Sequence, residues 1–244
     1  MLFKFAFIKQ SIKDFASFVI SPKMPSHSDA SFNQKLSTSI ILFILKFAFS
    51  VLVAGLIGLF YEPKNLTDQS LSERFEPLLY LIVGGMLLPC YEEIFFRLSL
   101  KFKPIYLALS AFCLGYYVCT KFVYGTRLTM LDDTFYVRIA TGIFIGTVCF
   151  IILRNKRLLE YFRNTWTQKF SVIYYLSVII FAWLHVFNFE LTPVNILLTP
   201  ILTLPQLFSG LVMGYIRIKF GFIYPLVFHM ATNSVLVSLD ILLK

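Results

Sequence analysis

A chain of 244 residues with 58% hydrophobic and only 14% charged side chains is not a soluble domain, in which about a quarter of residues carry charge. Its formal net charge of +9 is a topology signal rather than a sign of nucleic-acid binding, because positive residues collect on the cytoplasmic side of membrane spans. Several apolar runs reach the ~20 residues that cross a hydrocarbon layer, so the expected fold class is all-α: a polytopic transmembrane helical bundle.

Met1–Ile20 mixes phenylalanines with Lys4, Lys9, Lys13 and Asp14. It is too charged to span and has no small-residue cleavage site, which predicts an interfacial amphipathic helix rather than a signal peptide. Ser21–Lys35, rich in serine and with two prolines, predicts a polar linker. Residues 1–36 therefore read as a cytoplasmic arm and 37–244 as the membrane domain. Seven spans are predicted, at Ser37–Tyr61, Pro77–Leu100, Pro104–Val123, Thr134–Leu153, Phe170–Phe189, Asn195–Ile216 and Phe222–Leu243. The arm and the alternate connections after it carry 14 Lys and Arg, against 5 on the opposite side. That asymmetry predicts a cytoplasmic N-terminus and an outside C-terminus, with a bacterial plasma membrane as the expected location. Lys46 and Arg138 fall inside spans: Arg138 is near enough to an end to snorkel, whereas Lys46 is deeper and has no evident partner. Gly142/Gly146 and Gly210/Gly214 have the small-xxx-small spacing of close helix packing. Cys90, Cys113, Cys119 and Cys149 all lie in apolar stretches without metal-ligand spacing and read as packed free thiols.

Polar groups inside the spans are the candidates for chemistry. Pro89-Cys90-Tyr91-Glu92-Glu93-Ile94-Phe95-Phe96-Arg97 places two carboxylates and a guanidinium in a run that is otherwise apolar from Leu78 to Leu100. Each ionised group at bilayer depth costs about 2.5–3.5 kcal/mol on insertion scales. Glu93 and Arg97 are four apart and can neutralise each other on one helix face. Glu92 lies ~100° round the helix and has no such partner. Of the three histidines, His27 sits in the polar linker, as a surface residue would. His185 closes Phe181-Ala182-Trp183-Leu184-His185, and His229 shares a face with Asn233. Singly, an intramembrane His or Asn is as readily a helix–helix hydrogen bond. Together they make a hydrolytic kit: a glutamate and a histidine can hold and deprotonate water, and an imidazole with an amide can stabilise an oxyanion. A proton-coupled transporter relaying charge through Glu92 and His185 remains open at this level.

Pro-x-x-Glu-Glu-x-x-x-Arg, Phe-x-x-x-His and His-x-x-x-Asn, in that order, resemble the three motifs of the CPBP intramembrane proteases. This is the CAAX-protease and bacteriocin-processing (Abi) family, which includes the Ras-converting prenyl-protein endopeptidases. Gly221 and Pro225 resemble its usual lead-in to the last motif. The resemblance implies an intramembrane endopeptidase acting on a membrane-associated peptide or protein. It implies Glu92 as the residue that activates water, His185 as its partner, His229 and Asn233 as the oxyanion pair, and Glu93, Arg97 and Phe181 in support. It needs no cofactor in that form; an older reading makes Glu92, His185 and His229 ligands of zinc, a donor set compatible with a catalytic shell. A catalytically silent scaffold or bacteriocin-immunity protein is the alternative within the family. Two spans, residues 104–153, fall between the first two motifs and read as an insertion that could cover the substrate entrance. Simple span ends also put Glu92 and His185 at depths on the order of 10 Å apart, a mismatch that needs tilt or a break such as Pro89 can supply.

Overall fold

A computed structural model of the chain describes residues 4–24 and 30–243; His27, with much of the expected linker, and Lys244 lie outside them. In chain order the helices are α1 (Phe5–Ile20), α2 (Phe32–Gly58), α3 (Leu66–Arg74), α4 (Pro77–Leu100), α5 (Pro104–Val123), α6 (Phe135–Ile152), α7 (Lys156–Gln168), α8 (Phe170–Asn188), α9 (Pro193–Leu197), α10 (Thr199–Leu202), α11 (Leu204–Phe220) and α12 (Ile223–Leu242). The protein is an integral membrane helical bundle. Among the described residues α2, α4, α5, α6, α8 and α12 are the six helices long and apolar enough to cross a membrane.

The stretch expected as a further span at Asn195–Ile216 is broken. Pro193, Pro200 and Pro205 each stand in the first turn of a new helix, where the missing N–H is harmless but where it ends the helix before. Beyond these breaks, α11 forms the centre of the bundle. Ten of its residues are buried, and it packs against α1, α2, α8 and α12. The small residues allow this: a Cβ on Gly214 would stand 2.7 Å from the Tyr174 ring, and one on Gly210 3.1 Å from Val178. α5 and α6 close on each other in the same way, since Cβ atoms at Gly142 and Gly146 would stand 2.9 Å from the carbonyls of Phe112 and Ala108. Both glycine pairs thus do what their spacing suggested.

α1 is not loose on the surface. Ser31 caps α2 through a reciprocal box with Gln34. Upstream of it, Phe15 packs with Leu42, Val212, Tyr215 and Ile216, while Asp14 pairs with Lys219 at 3.0 Å. Tyr175 donates to the Val19 carbonyl and Ser171 to that of Pro22. Arg138 does not snorkel to water. It is wholly buried and gathers the α5–α6 loop, donating to the carbonyls of Arg127 (3.2 Å) and Met130 (2.5 Å) and to Asp132 (3.1 Å). A guanidinium with several donors satisfies loop carbonyls more cheaply than it reaches past them. Asp132, outside the spans, is held below the ordinary carboxylate range first by the Thr134 hydroxyl and then by the Thr134 amide and Arg138.

Candidate active site

Between α2, α4, α5, α8, α11 and α12 lies a cavity of about 920 Å³. Glu92, His185, His229 and Asn233 all line it, so three motifs separated by up to 141 positions meet at one space. Of the two spans between the first two motifs, α5 contributes Tyr117 and Lys121 to the wall, the loop after it contributes Arg127, Leu128 and Thr129, and α6 contributes nothing.

Local sequence aims the first motif. α4 changes pitch at Val83–Leu87, a π turn in which the Leu88 amide reaches back to Val83. Pro89 comes next, with no N–H to offer the carbonyl of Gly85. Ser234 of α12 donates to that carbonyl at 3.3 Å. Gly85 also lets the two helices touch, because a Cβ there would stand 2.7 Å from Ser234 Oγ and 3.1 Å from Ser234 Cα. Gly85→Val is therefore expected to cost about 1–3 kcal/mol, the usual penalty of overpacking, read as a lowered unfolding midpoint in micelles. An unchanged midpoint would mean that α4 and α12 have slack at this crossing.

Glu93 is the buried hub. It is fully inaccessible, with Oε1 2.8 Å from Nδ1 of His229 and 3.5 Å from Nη1 of Arg97. The guanidinium carbon of Arg97 lies over the ring of Phe181, 3.6 Å from its centroid, a cation–π contact that gains strength away from water. Among the described residues neither Nη1 nor Nη2 of Arg97 has a hydrogen-bond partner, so charge and stacking hold it. Its main chain is fixed by Arg217, buried in α11, whose Nε donates to the Arg97 carbonyl at 3.0 Å and whose Nη2 donates to that of Leu98 at 2.9 Å. Arg217 directly follows the expected span Asn195–Ile216 and is one of the 14 positive residues counted to the cytoplasmic side.

Glu92, by contrast, is about a quarter exposed, and its Oε2 is 3.6 Å from Nε2 of His229. His229 thus spans the two glutamates, Nδ1 on Glu93 and Nε2 toward Glu92. His185 occupies the 3-10 turn that ends α8. Its Nδ1 lies 2.7 Å from the Phe181 carbonyl; a carbonyl only accepts, so Nδ1 carries the proton and Nε2 is the free ring nitrogen. Phe181 supports twice over, with its ring edge-on to His185 at 4.7 Å and to His229 at 6.3 Å. Lys46, for which the sequence offered no partner, also belongs to this site. It is buried, lines the cavity from α2 and donates to Thr232 Oγ1 at 3.0 Å; its lone positive charge at bilayer depth was the one signal.

Nδ1 of each imidazole is engaged, on the Phe181 carbonyl for His185 and on Glu93 for His229, which leaves Nε2 of each as the nitrogen available to a water or an ion; among the described residues no three His, Cys, Asp or Glu side chains are grouped closely enough to hold a metal ion.

Compared with known proteins, residues 74–235 match the family described as Rce1-like, type II CAAX prenyl endopeptidase Rce1-like. No curated protein and no solved structure gives a significant match.

Proposed function

The chain belongs to the Rce1-like family of type II CAAX prenyl endopeptidases, a family of membrane hydrolases, and from that premise we propose that it cuts its substrate with water activated by Glu92 and His185. The substrate class is a membrane-associated peptide or protein, to which the family and the membrane bundle both correspond. Glu92, partly open to the cavity, takes a proton from a water that Nε2 of His185 orients. The resulting hydroxide adds to the scissile carbonyl. Nε2–H of His229 and the amide of Asn233 donate to the oxyanion. Because Nδ1–H of His229 already serves Glu93, the Nε2 bond requires a doubly protonated ring, and the buried charge of Glu93 is its counterion. Glu92 then returns its proton to the departing amine as the C–N bond breaks. No covalent intermediate is involved, and no metal step.

The observation that carries this reading is the meeting of Glu92, His185, His229 and Asn233 on one cavity wall inside an apolar bundle. The test is cleavage by the purified chain, in lipid vesicles, of an S-farnesylated peptide ending in a CAAX sequence, with products read by mass spectrometry. Hydrolysis at one bond near the prenylated end, undiminished by 1,10-phenanthroline, is expected. Activity lost to the chelator and restored by zinc would replace the mechanism with a metal one, and absence of cleavage for prenylated and unprenylated peptides alike would overturn the proposal.

A further inference from the structure

Hydrolysis by Glu92 and His185 leaves unused a buried charge on the cavity wall, that of Lys46. Lys46 lies in the middle of α2, outside the stretch matched by the family, and is only 4% exposed. An ammonium at that depth costs about 2.5–3.5 kcal/mol, and such a group persists where something repays the cost or where function needs it. Its direct contacts are with neutral groups, while the charge of Glu93 attracts it through space. One of its three N–H donors goes to the hydroxyl of Thr232, a neutral group that in turn donates to the Phe228 carbonyl, and the ring of Phe43 lies 5.4 Å away. The nearest buried anion, Glu93, is already bracketed by Arg97 and His229. The other oxygen of that carboxylate receives no hydrogen bond among the described residues, so Lys46 is not bonded to it.

Position narrows what the ammonium meets. It forms part of the cavity wall and is tied to Thr232, which lies between His229 and Asn233 on α12. Three residues of helix rise about 4.5 Å. An anion held at Nζ would therefore share the cavity with a carbonyl presented to His229 and Asn233, displaced from it along α12. A peptide whose scissile bond lies close to its C-terminus offers one full negative charge near that carbonyl, its main-chain carboxylate.

We propose that Lys46 is the subsite cation that receives the C-terminal carboxylate of the substrate, fixing the distance between the chain end and the bond that is cut. Thr232 positions the ammonium, and α2 thereby sets specificity for a site whose reacting groups come from α4, α8 and α12. This rests on the protease reading, and it adds a requirement for a free carboxyl end.

The experiment compares one S-farnesylated CAAX peptide as free acid and as C-terminal amide, with the full chain in vesicles. A charge-assisted hydrogen bond lost on amidation predicts that the wild type favours the acid by about 10- to 100-fold in kcat/KM, carried mainly by KM. In Lys46→Met the acid-to-amide ratio is expected to collapse toward one, and in Lys46→Arg to recover in large part. Equal handling of acid and amide by the wild type, which needs no variant to fold, would overturn the proposal, as would a preference that survives in Lys46→Met. A parallel binding measurement uses a dye-labelled peptide with a reduced, uncleavable bond at the scissile position, followed by anisotropy. Acid-selective binding that vanishes in Lys46→Met, in a chain that cleaves nothing, would keep the subsite and discard the protease reading.

Discussion

Glu92→Gln is expected to lower kcat by roughly 100- to 10,000-fold, the range a positioned general base supplies, with little change in KM and an unchanged unfolding midpoint. Gln keeps the size and one hydrogen-bond acceptor of the side chain but cannot take the proton from water. Glu92 is partly open and makes no contact closer than 3.6 Å with His229, so the substitution leaves no buried partner stranded. Single-turnover hydrolysis of the farnesylated peptide measures the effect. Near wild-type rates in Glu92→Gln would remove this residue from the chemistry and return it to a place in the cavity wall.

The largest effect on stability is expected at Arg97. Arg97→Leu takes from the fully buried Glu93 the strongest of the charges that stabilise it, leaving His229 and, through space, Lys46, and removing one member of a buried ion pair typically costs about 3–5 kcal/mol. The lost stacking on Phe181 adds to this, with desolvated cation–π contacts worth about 2 kcal/mol. Urea titration in mild detergent, followed by tryptophan fluorescence, should show the midpoint fall. Because the penalty comes from an orphaned charge, Glu93→Gln combined with Arg97→Leu should be more stable than Arg97→Leu alone. Additive losses would show instead that Arg97 acts through packing.

Much of this arrangement was legible in the linear chain, for identifiable reasons. A long apolar run declares a span whatever its neighbours do, and a carboxylate within one is costly enough to stand out; α4, α8 and α12 and their polar residues were found on those grounds. The pairing of groups was less legible. Helical spacing correctly joined Glu93 to Arg97, four residues apart, but it could not see His229 bridging the two glutamates or Lys46 reaching Thr232, contacts across 136 and 186 positions. Hydropathy also concealed the breaks around α9 and α10, because proline costs a window average little while it ends a helix outright. Arg217 and Arg138 sit where positive charge marks the end of a span, and composition alone does not separate a topology signal from a guanidinium folded inward onto backbone carbonyls.

The wide turn at Val83–Leu87 has a geometric consequence for everything downstream of it. A π turn houses one residue more than the α-helical path would, and each residue advances a helix by about 100°. Wound as an uninterrupted α-helix, the same segment would hold the azimuth of Tyr80 while swinging Glu92 and Glu93 by that angle, away from their present contacts with His229. The compass bearing of the two acids is thus set more than one turn before they occur, in a Val-Gly-Gly-Met-Leu stretch that carries no reactive group of its own.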